Sequence, residues 1–211
     1  MKFLLILVVT VSGLFLTNSD LNAQYIKEWY SSVSGSHKFG LKKSVFKTEG
    51  NSAFLKLTNK NVDGSVNLIQ TCHADEYLGK RVKMTAYIKT RKASGDTGMW
   101  MTIFSKKQDN ERLGFDDVLS FDNVILTGNK NWTYCAIVLD VPEESGTISF
   151  GVRIDGRKSK IWFDVISFEI VDDTETEITR TAENNGEKFP IGSIVNPILV
   201  LNERVTNLDF K

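Results

Sequence analysis

Three side chains of this sequence have the chemistry of a sugar-binding surface: Tyr87, Trp100 and Arg153. In each of their segments the alternate residues are apolar, so these three belong to the opposite, outward set together with small hydroxyl residues. An aromatic ring binds the apolar side of a pyranose, and fixed polar groups bind its hydroxyls. If the three segments share one sheet, the sequence predicts a carbohydrate site on its outer surface. The alternative is that residues 106–119 cover Trp100, which is then core.

Three further polar side chains have both a binding and a structural interpretation. Asp122 and Asn123 can supply hydrogen bonds at the rim of such a site, or they can form an Asx turn that fixes the backbone. The second interpretation is favoured. Gln70 lies on the same side as Leu68 and Cys72, which indicates a buried amide satisfied by a neighbouring loop.

Motifs of catalysis and of phosphate binding are absent from the sequence. It contains no His-Glu-x-x-His, no Gly-x-Ser-x-Gly and no phosphate-binding loop. His37 and His73 have no second histidine or cysteine at metal-ligand spacing. Asp116, Asp117 and Asp122 can in principle form a glycosidase pair, but adjacent acids in a loop are usually solvated. The sequence therefore predicts a protein that is not an enzyme and requires no cofactor.

The elements that carry these residues are strands, because apolar side chains alternate through most of residues 53–171. Many short strands at this spacing predict an all-β, antiparallel sandwich or jelly roll. Three segments have a clear inward set, namely Met84, Ala86 and Ile88, then Met99, Met101 and Ile103, then Phe150, Val152 and Ile154. The predicted strands are Ala53–Thr58, Ser65–His73, Arg81–Thr90, Gly98–Ser105, Val118–Ile125, Trp132–Val141, Thr147–Ile154 and Lys160–Val171.

The chain divides into four parts. Residues 1–23 have a positive start, an apolar run and a cleavage site before Gln24, which indicates a signal peptide. Residues 24–171 form the sandwich domain, residues 172–190 an acidic linker, and residues 191–211 an apolar tail that we expect to dock. No later segment is long enough to cross a bilayer, so we expect a periplasmic or secreted protein without a membrane span after cleavage.

The charge of the chain argues against one class of partner, and its two cysteines raise the question of a disulfide. The whole chain has zero formal charge, and residues 24–168 contain 21 basic and 16 acidic residues, a difference of +5. So small an excess, spread without a basic stripe, argues against nucleic acid. Cys72 and Cys135 each point the same way as their apolar neighbours, which favours two buried thiols over a disulfide.

Several segments, in this order, resemble a small bacterial jelly-roll domain found in exported proteins and appended to regulators. They are "IQTCHADEYLGKRVKMTAYIKT", "GMWM", "LSFDNVILTGNKNW", "VLDVP", "ISFGVRI" and "KIWFDVISFEIV". That domain is similar to galactose-binding and carbohydrate-binding-module folds, and the resemblance covers roughly residues 29 to 171. It implies the jelly-roll fold, while carbohydrate as the partner is predicted from Tyr87, Trp100 and Arg153. Fold alone does not fix function, so a structural or protein-interaction module of the cell surface remains the alternative.

The last predicted strand places Trp162 and Asp164 on one face with Ile166, Phe168 and Ile170. The alternation predicts that this face is inward and that Trp162 is core. Asp164 must then be paired, because an unpaired buried carboxylate costs several kcal/mol. The resemblance implies a structural calcium here, bound by an acid of the last strand. The favoured alternative is that Asp164 caps loop N–H groups.

The tail contains "TNLDF", which is similar to the first strand of the resembled domain. We therefore predict that residues 205–210 pack as a strand against the sandwich, with Val205, Leu208 and Phe210 marking the pattern. The alternative is that the tail is the start of a second domain.

Overall fold

Alternating apolar residues form strands throughout the described part of the chain. The computed structural model describes residues 26–31, 37–58, 65–106, 118–155, 158–176, 201–206 and 208–210. All the predicted strands are present, and two of them, Val118–Ile125 and Lys160–Val171, have the predicted bounds. In chain order the strands are β1 (Tyr30–Ser31), β2 (His37–Lys42), β3 (Ser52–Leu57), β4 (Val66–His73), β5 (Arg81–Arg91), β6 (Ser94–Ser105), β7 (Val118–Ile125), β8 (Thr133–Asp140), β9 (Ser145–Asp155), β10 (Lys160–Val171) and β11 (Leu201–Asn202).

The strands form two sheets that pack face to face as an antiparallel jelly-roll sandwich, as the sequence predicts. The first sheet has the order β1-β4-β9-β6-β7, with β11 also paired to β4. The second sheet has the order β2-β3-β10-β5-β8. All pairs are antiparallel except β11 with β4. The outer face of each sheet is the one turned away from the other sheet.

The core lies between the sheets and contains every residue of the predicted inward set. An aromatic cluster fills part of it. The Trp29 ring lies edge-on to Phe150 and Phe163, with centroid separations of 5.7 Å and 5.2 Å. Phe210 packs on Trp29 and Phe163 at 5.8 Å and 5.2 Å. The cluster therefore joins both ends of the described chain to both sheets.

Segments from the two ends of the chain share one edge of β4. Tyr30 of β1 pairs with Ile69, and Leu201 of β11 pairs with Thr71. The predicted tail strand lies elsewhere than expected: the ladder is at Leu201–Asn202, and the described residues of the predicted strand, 205, 206 and 208–210, are not in a strand. The backbone of Thr206 instead pairs with the side-chain amide of Gln70, which donates to its carbonyl at 2.8 Å and accepts its N–H at 3.0 Å. Phe210 is nevertheless 1% exposed.

Several predictions fall outside the described residues. Residues 1–23, the predicted signal peptide, are among these, as is most of the linker and tail, residues 177–200. In the described part of the linker, the Asp172 carboxylate accepts the backbone N–H and the hydroxyl of Thr174. The described residues contain no helix that is long and apolar enough to span a membrane.

Cys72 and Cys135 are separate thiols, each buried in a different sheet. Burial raises the pKa of both to about 12, and the Glu76 carboxylate contributes to the rise at Cys72. The structure thus confirms the expectation of buried thiols over a disulfide.

We expect neither cysteine to react with a maleimide in the native protein at pH 8, since only about one thiol in 10⁴ is then thiolate. In urea, mass spectrometry should detect two labels. A label on the folded protein, or unlabelled cysteines after unfolding without reductant, would contradict the buried free thiols.

Candidate functional site

Trp100 and Arg153 lie on the same outer face, as the sequence predicts. They belong to the neighbouring strands β6 and β9 of the first sheet, where Trp100 is opposite Gly151 and Arg153 is opposite Gly98. Each large side chain therefore has a glycine beside it. We call the outer face of the first sheet around these residues the Trp100 face.

The two glycines leave bare backbone next to the large side chains. A Cβ on Gly151 would lie 2.0 Å from the carbonyl oxygen of Leu68, and one on Gly98 would lie 1.8 Å from that of Val124. Neither position can take a side chain unless the strands separate. Glycine inside a strand marks such close backbone approach, and here it keeps side chains away from the flank of the indole.

Tyr87 does not belong to this face, which corrects the prediction. It lies on β5 in the second sheet, where it pairs with Asp164 and with Tyr134. Its ring is edge-on to Tyr134 at 5.6 Å, and the Lys47 ammonium lies 4.6 Å from its centroid. Alternation gave the correct side of the strand, outward, but it contains no information about which sheet a strand joins.

Asp122 and Asn123 point to opposite sides of β7. Asn123 is directly opposite Trp100 and so lies on the Trp100 face, while Asp122 is opposite the core residue Met101. The Asp122 carboxylate accepts the N–H of Asn123 at 2.7 Å. The predicted Asx turn is not present, because both residues lie inside β7 and the contact is to the next residue. Asn123 belongs to the candidate site.

A row of hydroxyl groups crosses the same face. The Tyr30 hydroxyl lies 2.8 Å from Thr71 Oγ1, which lies 2.8 Å from Ser149 Oγ. Thr102 is opposite Ser149 on the next strand and continues the row. Sequence reasoning identified Ser149 and Thr102 as small outward hydroxyls but missed Tyr30 and Thr71. The adjacent "WY" pair was the available signal, since one of two successive strand residues must face outward.

The Trp100 face is almost completely buried, and several of its polar groups have no partner among the described residues. Trp100 is 2% exposed, and Thr102, Asn123 and Arg153 are also buried. Within the described residues, no hydrogen-bond partner contacts the indole Nε1, the Thr102 hydroxyl or the Asn123 amide nitrogen. An unpaired buried donor costs about 1–3 kcal/mol, so three of them on one face require an explanation.

Burial is consistent with the alternative expectation that Trp100 is covered. Most of the segment proposed as the cover, residues 107–117, lies outside the described residues. Burial also lowers the pKa of the Arg153 guanidinium, while the nearby Asp96 and Asp155 carboxylates oppose that shift. An arginine keeps its charge under such a shift, so the face has a fixed cation.

Trp162 is not core, which corrects the prediction that it lies on the inward face of the last strand. The inward residues of β10 are Ile161 and Phe163, followed by Ile166 and Phe168. A bulge between Asp164 and Ser167 shifts the alternation by one residue. Trp162 therefore lies on the outer face of the second sheet, and Ile170 is exposed.

Asp164 maintains that bulge by accepting loop and strand N–H groups. Its Oδ2 accepts the N–H of Lys47 at 2.7 Å, and its Oδ1 accepts the N–H of Val165 at 2.8 Å. Val165 has φ of +53°, which a β-branched residue seldom adopts. These contacts match the capping interpretation.

The hydrogen bonds of Asp164 favour the capping interpretation over a calcium ion. Both carboxylate oxygens already accept N–H groups, whereas calcium requires six to eight oxygen ligands. Over the described residues, no group of three or more His, Cys, Asp or Glu side chains is placed to hold a metal.

The chain has a relative of known sequence and several structural likenesses. No family model matches it. It is 36% identical over 157 residues to an uncharacterized HTH-type transcriptional regulator of Bacillus subtilis, YbfP, a match that covers 71% of this chain and 50% of that protein. The chain thus spans about half the length of this curated relative.

Several solved structures are similar to part of this chain at low sequence identity. The enzymatically active domain of tailspike protein 4 of bacteriophage CBA120 is 16% identical with a TM-score of 0.49, over 70% of this chain and 20% of that one. The CBM22-1 xylan-binding domain of Paenibacillus barcinonensis Xyn10C is 12% identical with a TM-score of 0.46, over 71% and 90%. Family 16 carbohydrate-binding module-2 is 14% identical with a TM-score of 0.45, over 62% and 84%.

Proposed function

We propose that this chain is a non-catalytic carbohydrate-binding domain whose ligand contacts the Trp100 face. One observation carries the proposal: the indole N–H, the Thr102 hydroxyl and the Asn123 amide are buried without described partners on adjacent strands of one face. Sugars present many hydroxyl oxygens at short intervals, so one bound glycan satisfies several such donors at once.

The rest of the face provides what a sugar requires beyond those donors. The Trp100 indole lies beside the bare backbone of Gly151, so this position places no side chain against the flank of the ring. The hydroxyl row at Thr71 and Ser149 and the cation of Arg153 supply further polar partners. Specific glycan recognition combines such an aromatic platform with fixed polar groups.

We propose that the domain is not an enzyme, and the position of Asp122 supports this because it is not on the Trp100 face. Asp122 lies on the inward side of β7 with its carboxylate on a backbone N–H. Asp116 and Asp117 lie outside the described residues. Release of reducing sugar by the wild type that disappears in an Asp122→Asn variant would contradict this part of the proposal.

We further propose that the domain acts outside the cytoplasm, because residues 1–23 have the pattern of a signal peptide. Carbohydrate is then the partner, and neither nucleic acid nor a membrane span is part of the proposal. Cell fractionation of the tagged protein tests this: recovery of an uncleaved chain in the cytoplasm would contradict it.

A structural or protein-interaction module of the cell surface is the second candidate. The 2% exposure of Trp100 favours it, because a covered indole is also what a purely structural face would have. The glycan-binding experiment described next distinguishes the two candidates, since this alternative predicts that no glycan binds.

A glycan array of neutral oligosaccharides, followed by calorimetric titration of the best ligand, tests the proposal. We expect Trp100→Ala to weaken binding by at least about 30-fold, the effect of losing a central aromatic anchor. Asn123→Ala removes one donor with little change in packing and should weaken binding by about tenfold.

Tyr134→Ala is the matched control, because this tyrosine lies in the second sheet and is 37% exposed. It should leave affinity unchanged. Melting temperatures of all variants separate loss of binding from loss of fold. Absence of binding by the wild type, or equal affinity of wild type and a folded Asn123→Ala variant, would refute the site.

A further inference from the structure

The outer face of the second sheet carries four cations in one line. Lys38 of β2 pairs with Lys56 of β3, Lys56 with Lys160 of β10, and Lys160 with Arg91 of β5. Neighbouring strands are about 4.8 Å apart, so the line crosses roughly 14 Å of the sheet. We call these four residues the cation row. Sequence reasoning missed it, because its members are far apart in the chain and only the register brings them together.

The cation row is unfavourable for the fold alone. Like charges directly opposite each other on adjacent strands are destabilising. The ion pairs found among the described residues join Lys27 to Glu28, Arg81 to Asp140 and Lys83 to Glu175, and so none includes the row. Burial lowers the pKa of Lys160, and the charges of Lys56, Lys42 and Arg91 lower it further. Such a line of uncompensated charge is expected where an anion binds.

Two aromatic side chains lie directly beside the row. Phe54 and Trp162 are opposite each other on β3 and β10, and the Lys160 ammonium lies 4.5 Å and 4.3 Å from their ring centroids. Trp162 is 7% exposed, and its indole Nε1 is buried with no hydrogen-bond partner in the part of the chain that the structure describes. A donor of this kind next to four cations is a second, independent indication of an anionic ligand.

We infer that this face is a second binding site, for an acidic polysaccharide. Carboxylate or sulfate groups along the polymer would pair with the cation row, and the Trp162 N–H would donate to one of them. Sugar rings would contact Phe54 and the indole edge. The linear arrangement over four strands fits an extended polyanion better than a single small anion, which one or two cations suffice to hold.

Nucleic acid is the other common polyanion and is disfavoured. The domain has a basic excess of only five residues over positions 24–168, from 21 basic and 16 acidic residues. Duplex binding is dominated by many phosphate contacts, commonly six to ten. The site does not depend on the Trp100 face, so each proposal can fail without the other.

Binding of the protein to polygalacturonate, a carboxylated probe, and to heparin, a sulfated one, tests the inference, with neutral xylan for comparison. We expect salt-sensitive binding to at least one acidic probe. The double variant Lys56→Gln/Lys160→Gln should bind about 25-fold more weakly, at about fivefold for each cation lost. Trp162→Phe, which removes only the N–H and keeps an aromatic ring, should weaken binding by about three- to tenfold.

Lys80→Gln/Lys106→Gln is the matched control, because it removes the same charge at the other end of the sandwich, where Lys80 precedes β5 and Lys106 follows β6. This variant should bind as the wild type does. Equal weakening in both double variants would show a non-specific charge effect and overturn the site. So would failure of the wild type to bind either probe. Stronger binding to a random-sequence DNA duplex than to both acidic glycans would overturn the assignment to polysaccharide.

Discussion

Replacing Phe210 with alanine is expected to lower the free energy of unfolding by about 3–5 kcal/mol, the usual cost of a buried phenylalanine. Phe210 is 1% exposed and contacts the rings of Trp29 and Phe163. Its loss would leave a cavity where both sheets and both ends of the described chain meet. The melting temperature should fall by about 10–15 °C, since each kcal/mol corresponds to about 2–4 °C in a protein of this size.

Phe46→Ala is the matched control, because it removes the same side chain from a position that is 42% exposed. It should change the melting temperature by no more than about 2 °C, as surface substitutions stay within about 0.5 kcal/mol. Chemical denaturation followed by circular dichroism provides the free energies. Equal, small effects of the two substitutions would mean that residues 205–210 contribute nothing to the domain.

Asp164→Ala should also be strongly destabilising, by about 3 kcal/mol, because it removes charged hydrogen bonds to the N–H groups of Lys47 and Val165. The loss is larger than for a simple turn, since the carboxylate holds Val165 at a φ of +53°. Without it, the bulge that sets the alternation of β10 loses its anchor. We expect the melting temperature to fall by roughly 10 °C.

Asp164→Asn keeps an acceptor oxygen and should lose only about half as much stability. Glu169→Ala, which removes an exposed acid from the same strand, is the control and should have little effect. EDTA should leave the melting temperature of the wild type unchanged. A decrease with EDTA in the wild type that is absent in Asp164→Ala would instead support a bound cation.

The strands and the inward side chains could be predicted because they depend on local alternation. Local alternation correctly placed the inward residues of β4, which are Val66, Leu68 and Cys72. Gln70 alternates with them, and it was therefore predicted to be a buried amide and not a ligand contact. Its two hydrogen bonds to Thr206 supply the loop partner that a buried amide requires.

What could not be predicted depends on long-range pairing and on one irregular residue. Tyr87 and Trp100 have the same local pattern, but β5 and β6, although consecutive, join different sheets. Trp162 could face inward or outward, depending on whether the alternation of β10 continues without a break. The bulge at Val165, which has a positive φ, breaks it and turns Trp162 outward. Valine is seldom found in that conformation, so the sequence contains no signal for it.

The shared edge of β4 has a consequence for folding order. The hydrogen bond between Thr206 and Glu28 joins residues that are 178 positions apart, and Asn202 donates to the Glu28 carbonyl across a similar separation. Closing so long a loop costs more conformational entropy than forming the hairpins within either sheet, and non-local contacts of this kind delay folding. Until they form, part of the β4 edge is open to strands of other chains. The terminal segments therefore guard against misassociation as well as completing the core.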